Sequence, residues 1–582
     1  MKKTMERKKI IWLVIIILVQ SLFITFMFDT QKQGYHSDEI WNYGFANSSE
    51  GRHIYYIDEQ TTKNTGEWED SDLFLEYISV DESEIFDYKS VYQNAVGDFN
   101  PPLQYMLLHF ICSFFPNVWS KWFCFFINII AFIITQIYIY KSLKLICTDD
   151  NAAIAGVILY GFGAGALGIA SFLRIYALGT AFVVVFFYCF TDIVYGKKKE
   201  KTIGKYIKLF LVCFLGAFTI HQFLVVAFAI TLAYVVYLLY KKRYGAFFAC
   251  GMICLLAVVL SIVAFPATIR QAFQNNHTYA QDSDTLKTPV IYQFFSYLSF
   301  LTRDTIGIHN ELEVTDTYML VCLVIGALFA VLLTFAFFSR KKEWFSKMKI
   351  NLTEYVGRLL GNIKNKGYSC IVLIFSVLFL MIISANRTSI SKMGIYAKRY
   401  VFLIYPLFSM FIAVVIFSFA ESCLRKKRLV NYTVALFLAL FSLFLSDNAF
   451  FMEFDRKGLN FDNIEEDANC IILVEDLWVL TAFTNELYDT NSFYAIRRPD
   501  YVQDNYEDLK DSDKPLYLFI DVSRECKSDD EADITLAKDV GMMVDKDEIL
   551  DYYKDLSISS MCELVGVEYV HTREIEIYRL NP

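Results

Sequence analysis

Much of what marks the common protein classes is missing from this chain. No internal repeat and no low-complexity tract can be found in it, which removes solenoids and speaks against transporters built from repeated halves. The seven histidines and thirteen cysteines show no metal-ligand spacing, so no zinc centre is expected. Most of the cysteines fall inside apolar runs, where they read as small core or lipid-facing residues, and a secreted disulfide framework is absent. No glycine-rich phosphate loop opens a helix, so no nucleotide site is assigned. Residues 10–28, behind the basic stretch 1–9, start like a signal peptide but are followed by no small-x-small cleavage site; they are read as a retained anchor.

What is present is apolar length. The chain is 55% hydrophobic and 17% aromatic, and runs long enough to cross a bilayer recur along it. Eleven spans are expected, at 10–28, 121–140, 152–172, 175–195, 206–220, 223–240, 246–265, 318–338, 368–384, 400–420 and 429–446. Residues 101–115 are apolar but short. Counting them as a span would move Lys141 and Lys144 to the outer face, so they are taken as an interfacial helix.

The net charge of −9 hides a strong partition. Residues 29–100 hold 16 acids and 4 bases (net −12), and 447–582 hold 33 acids and 13 bases (net −20). The rest carries 14 acids and 37 bases, net +23. Positive charge collects in the short connections, so the positive-inside rule puts the amino terminus in the cytoplasm and both acidic regions outside the cell. The expected division is a transmembrane domain, 1–446, containing a first extracytoplasmic loop at 29–100, and a soluble extracytoplasmic α/β domain at 447–582. Strands are expected in that tail at 470–474, 492–496, 515–520 and within 565–578, with a helix at 477–487.

Two stretches of the first loop carry chemistry. Gly34–Trp41 reads GYHSDEIW, and Asp98–His109 reads DFNPPLQYMLLH. Asp38 and Glu39 follow the first apolar segment by about ten residues, which keeps them near the membrane surface. Alone, an Asp-Glu pair is a solvated loop feature and Pro101-Pro102 a helix start. Further on, Ser171–Leu178, SFLRIYAL, puts Arg174 where two spans meet. Such an arginine is costly unless paired, functional or snorkelling to headgroups. Lys398-Arg399-Tyr400 places positive charge on the outer side, against the charge trend. His221, with Gln222, follows a span at the outer face; it is open to a polar contact with sugar or phosphate, or to a helix-end role.

In order and spacing these stretches resemble the membrane glycosyltransferases of the GT-C fold that use polyprenyl-phosphate sugars, among them the protein O-mannosyltransferases and the aminoarabinose transferases that modify lipid A. In that family an acidic pair follows the first span, and a (His/Lys)-Pro-Pro-Leu-x-Tyr-x-Leu-Leu motif follows in the same loop. Here the second motif runs Asn100-Pro101-Pro102-Leu103-Gln104-Tyr105-Met106-Leu107-Leu108-His109, with Asn100 in place of the basic residue. Arg174 and Tyr176 match the family's Glu-Ala-Arg-Met-Tyr-Ala-Leu, with Phe172 in place of the acid. Arg399-Tyr400 before a span containing Pro406 matches a further family feature. The likeness covers about 10–408 and leaves out the tail.

The resemblance implies a GT-C-like, all-α polytopic membrane domain followed by the small α/β domain. It implies transfer of a sugar from a polyprenyl-phosphate donor to an extracytoplasmic acceptor, with inversion. By that likeness Asp38 is the base, Glu39 its helper and Asp98 a second acid, Asp98 being also readable as a turn cap before Pro101. Arg174, Lys398 and Arg399 would hold the donor phosphate, and Asn100, Tyr176, His221 and Tyr400 would line the substrate. Asp38, Glu39 and Asp98 offer oxygen ligands suited to Mg²⁺ or Mn²⁺, and family members differ in metal use. The expected setting is a bacterial cell membrane, with membrane lipid as partner and no nucleic acid. The alternatives are a glycan polymerase or ligase, which would lack the acidic pair and the Pro-Pro re-entry, and a lipid-linked sugar flippase.

Overall fold

In a computed structural model the structure describes residues 2–32, 34–49, 66–196, 202–273, 290–307, 361, 367–387, 394–423, 427–445, 464–474, 479–480, 483–502, 514–522, 546–555, 561–570 and 573–581. The chain forms two compact units. One comprises Met1–Phe26, Phe99–Leu103 and Phe126–Asn448; the other comprises Met27–Asp98, Gln104–Phe125 and Ala449–Pro582.

The first unit is helical and apolar. Ten of the eleven expected spans coincide with helices; the eleventh, 318–338, lies outside the described residues, as does most of the basic stretch 340–366. Among the described residues seven helices are long and apolar enough to cross a membrane: Lys9–Gln31, Lys121–Cys147, Tyr176–Tyr195, His221–Tyr240, Tyr244–Ala264, Ser369–Asn386 and Ala397–Phe419. The first and second of these contribute their ends to the other unit. The expected span 152–172 is instead a bent pair, Asp150–Gly161 and Ala164–Ser171, meeting at 56°. A bend inside a bilayer strands backbone groups where no water can reach them. Here Gln20 Nε2 donates to Val157 O at 2.9 Å, and Gln136 Nε2 donates to Gln20 Oε1 at 2.7 Å and to Val157 O at 3.2 Å. Gly161 makes room for the two amides, since a Cβ there would sit 1.8 Å from Gln136 Nε2.

The second unit contains one six-stranded sheet, ordered β1-β3-β2-β4-β6-β5. Its strands are β1 (Trp68–Asp70), β2 (Asn469–Val474), β3 (Ser492–Arg497), β4 (Leu516–Asp521), β5 (Met561–Val570) and β6 (Arg573–Asn581). The central β3-β2-β4 ladder is parallel and the flanking pairs are antiparallel. A parallel strand covered on both faces must be apolar throughout, and NCIILV of β2 is buried at every position. Ile471, Leu473, Ile496, Leu518 and Ile520 form its core with Ile549 and Tyr553 of the helix Lys546–Asp555. The expected tail strands are all present. The expected helix at 477–487 is represented by Thr484–Leu487, with 475–478 and 481–482 outside the described residues. The edge strand β1 comes from the first loop, where Trp68 pairs with Tyr494 and Asp70 with Ser492. The first loop and the tail therefore share one unit.

Candidate functional site

The acidic pair stands at the start of the helix Ser37–Asn47. Its cap is His36, whose Nδ1 accepts from Asp38 N at 3.0 Å, while His36 N donates to Glu39 Oε2 at 2.8 Å. This reciprocal capping satisfies two of the donors a helix start leaves over, and an acid there also complements the helix dipole. The two acids then part company. Glu39 is buried, and both its oxygens accept from Lys32 Nζ, at 2.8 and 2.9 Å. Burial pushes the Lys32 ammonium below its usual range, and the Glu39 carboxylate beside it pulls the other way. The pair binds the end of the first span to the helix that follows and fixes the direction of its first turn. Asp38 remains partly open, its side chain 15% exposed and 3.9 Å from His36 Nδ1.

Asp98 caps the carboxyl end of the helix Tyr88–Gly97, its N–H donating to Asn94 O at 3.1 Å. Its buried carboxylate accepts from Tyr105 Oη, the tyrosine of the Pro-Pro-Leu-x-Tyr motif. The motif thus delivers a tyrosine in the first turn of the helix Leu103–Cys112 to hold the acid that precedes it. Asn100 is half-buried, and Pro101 and Pro102 are buried; Leu103 N donates to Phe218 O at 3.1 Å. The three acids differ in what they touch. Glu39 is taken up by Lys32 and the His36 backbone, and Asp98 by Tyr105. Among the described residues no three His, Cys, Asp or Glu side chains gather as a metal site.

The cations occupy the helical unit. Arg174 lies buried in the turn between the helices Ala164–Ser171 and Tyr176–Tyr195. Asn128, buried in the span Lys121–Cys147, fixes that turn by donating to Ala170 O at 3.1 Å and Phe172 O at 2.8 Å, and Arg174 N donates to Phe172 O at 2.7 Å. Phe172, which stands where the family has an acid, stacks on Tyr176 at 5.6 Å; Tyr176 in turn meets Phe402 edge-on at 5.6 Å. Through these rings the Arg174 turn packs on the 3-10 segment Gly394–Ile404, which carries Lys398, Arg399 and Tyr400.

Lys398 is buried, with its Nζ 3.8 Å from Asp304 Oδ2. The same oxygen accepts from Tyr405 Oη at 2.9 Å, and Arg303 Nε lies 3.5 Å from Asp304 Oδ1. Arg303, Asp304, Lys398 and Tyr405 are all buried. Gly165 lets its helix approach Tyr405, where a Cβ would fall 2.2 Å from Cδ1. Arg399 is half-buried and lies over the Tyr400 ring at 5.5 Å; the Tyr400 carbonyl accepts from Ser384 Oγ at 3.4 Å. His221 opens the helix His221–Tyr240, and its Nε2 is 3.1 Å from Gln271 Oε1.

Lys32, Asn128, Arg303 and Asp304 were not singled out from the sequence. Arg303-Asp304 had a signal: adjacent opposite charges closing an otherwise aromatic and apolar stretch, 292–302. Asn128 in a span was a second one, since polar side chains at membrane depth need partners. Lys32 had none beyond its place between a span and an acidic pair.

No family model matches the chain, and no curated protein matches it in sequence. Several solved structures are similar to it, three of which follow. ArnT from Cupriavidus metallidurans bound to undecaprenyl phosphate is 9% identical, with 98% of each chain covered and a TM-score of 0.49. The same protein in the apo state is 10% identical over 93% of this chain and 95% of that one, with a TM-score of 0.45. The archaeal oligosaccharyltransferase AglB from Archaeoglobus fulgidus, in complex with an inhibitory peptide and a dolichol-phosphate, is 10% identical over 88% of this chain and 69% of that one, with a TM-score of 0.39.

Proposed function

We propose that this protein is an integral membrane glycosyltransferase of the GT-C type, moving one sugar from a polyprenyl-phosphate carrier to an extracytoplasmic acceptor. The observation that carries this reading is the buried cluster at the head of the span Ala397–Phe419, where Lys398, Arg303 and Tyr405 gather on the carboxylate of Asp304. Cations at a span end are expensive, and a phosphate-bearing lipid is the ligand that makes them useful. The acidic pair and the Pro-Pro-Leu-x-Tyr motif support the same reading through the order in which they follow the first span.

In the reaction the acceptor hydroxyl oxygen attacks the anomeric carbon while Asp38 takes its proton. The carbon–oxygen bond to phosphate breaks, and its electron pair leaves with the polyprenyl phosphate. Arg174, Lys398 and Arg399 stabilise that charge, with Arg399 able to bind two phosphate oxygens at once. A single displacement inverts the anomeric centre. Glu39 and Lys32 hold the helix that carries Asp38, and Tyr105 holds Asp98. Asn100, Tyr176, His221 and Tyr400 are assigned to substrate contact.

Deletion of the gene, followed by analysis of surface glycans and lipid-linked sugars, tests the reading. The expected result is one missing surface sugar together with accumulation of its lipid-linked form. Accumulation of an unflipped intermediate on the inner leaflet would point to a flippase instead, and unlinked repeat units to a polymerase.

A further inference from the structure

A surface in the second unit remains outside this reaction. The helix Leu103–Cys112 buries one side, with Tyr105, Leu108, His109 and Cys112, and leaves Phe110 48% exposed; just beyond its end Phe114 is 59% exposed. Against these two rings stands Phe86, 42% exposed, at ring distances of 6.0 Å from Phe110 and 5.5 Å from Phe114. Phe86 adopts φ +59°, a left-handed conformation that a bulky side chain reaches only when its surroundings impose it. They do so by hydrogen bonding: Phe86 N donates to Ser113 Oγ at 3.1 Å, and Tyr88 N to Phe86 O at 2.9 Å. Ile85, beside it, is exposed as well. Backbone strain is thus spent on presenting apolar rings to the outside.

We propose that Ile85-Phe86 and Phe110-Phe114 form a wedge that inserts into the headgroup–acyl boundary of the bilayer. The occupant follows from continuity within this unit, which includes the ends of two spans. Phe28 of the first and Phe125 of the second stack in the interior at 4.0 Å, and Trp122 of the second, 38% exposed, covers them at ring distances of 5.4 and 5.6 Å. Phe115, half exposed, stacks at 5.2 Å on Phe123 of the same span. The patch therefore runs into a surface that already faces lipid. An aromatic cluster of this size on a water-facing side would be an aggregation liability, whereas at the interface it is at home. The acids Glu82, Glu84 and Asp87 flank the turn and limit insertion to a shallow depth, because a carboxylate cannot follow the rings into hydrocarbon. This extends the interfacial helix expected at 101–115 to a second element, the turn 81–87, and does not depend on the glycosyltransferase reading.

The test uses the full-length protein in vesicles of phosphatidylethanolamine and phosphatidylglycerol with a minor fraction of polyprenyl phosphate. Photoreactive p-benzoylphenylalanine replaces Phe86 or Phe114, exposed aromatic positions where the exchange spares the fold. Val502, 58% exposed and apolar, next to Tyr501 of the sheet's core, is the control. After irradiation, mass spectrometry should find phospholipid adducts at 86 and 114 and none at 502. Three outcomes overturn the wedge: no phospholipid adduct at 86 and 114, adducts there to polyprenyl phosphate alone, or cross-links there to a second copy of the chain.

Discussion

At the scale of single residues, the structure separates two neighbours that the sequence presents as equals. Asp38 and Glu39 read as an acidic pair, yet Glu39 is spent on Lys32 and on the His36 backbone while Asp38 stays partly open. The sequence could not show this, because Lys32 is seven positions upstream and reads as an ordinary residue at a span end. A buried ion pair is costly to break from one side, since the remaining charge is stranded. We predict that Lys32→Met destabilises the protein by about 3–5 kcal/mol, and that the double variant Lys32→Met, Glu39→Leu recovers much of the loss. Thermal unfolding in detergent measures both; a Lys32→Met protein as stable as the parent would refute the pairing. Arg399, lying over the Tyr400 ring, offers a second test. Arg399→Lys keeps the charge but loses the planar fork and its stacking, so donor affinity should fall clearly while stability holds. Unchanged donor affinity would remove Arg399 from the phosphate site.

At the scale of elements, apolar length was legible and its interruptions were not. The stretch 152–172 is apolar throughout, so nothing but glycines marked the 56° bend after Gly161. Likewise β1 is the three-residue Trp68–Asp70, too short and too acidic to read as a strand, and it exists because β3 offers it an edge. The helix Leu103–Cys112 was expected as a short apolar element, but its buried histidine was not. Burial pushes the His109 imidazole below its ordinary value, against the partial charges of the Ala46 and Glu84 carbonyls and the carboxylate of Asp87; the Tyr88 ring packs on it edge-on. The unfolded chain takes up a proton near pH 6.5 that the folded chain still refuses. Stability is therefore fully present above about pH 6.5 and declines as the pH falls below it. Melting temperatures between pH 7.5 and 5.5 should drop less in His109→Phe than in the parent. Equal slopes would show that His109 titrates freely.

At the scale of the whole molecule, the charge partition carried most of the reading. Ten expected spans coincide with helices, because a membrane helix needs only apolar length, which a sequence displays openly. The sharing of one sheet by the first loop and the tail was hidden, because pairing between residues some 420 positions apart leaves no local pattern. The partition of −12 and −20 against +23 predicts a topology that impermeant thiol reagents can read. Cysteines engineered near Asp58 and Asp530 should be labelled in intact cells, and those near Lys198 and Lys426 should not. Labelling at Lys198 from outside would invert the arrangement.

The most direct test of the central claim is the rate of sugar transfer by Asp38→Asn. The substitution preserves size and most hydrogen bonding but removes the carboxylate proposed to accept the acceptor's proton. General-base catalysis contributes about 10²–10⁴-fold, so the single-turnover rate with a purified polyprenyl-phosphate sugar should fall by that order. Donor binding should stay close to that of the parent, because the proposed phosphate holders are Arg174, Lys398 and Arg399. Glu39→Gln should disturb stability more than it disturbs chemistry, since Glu39 is occupied by Lys32. A normal single-turnover rate in Asp38→Asn would contradict the account.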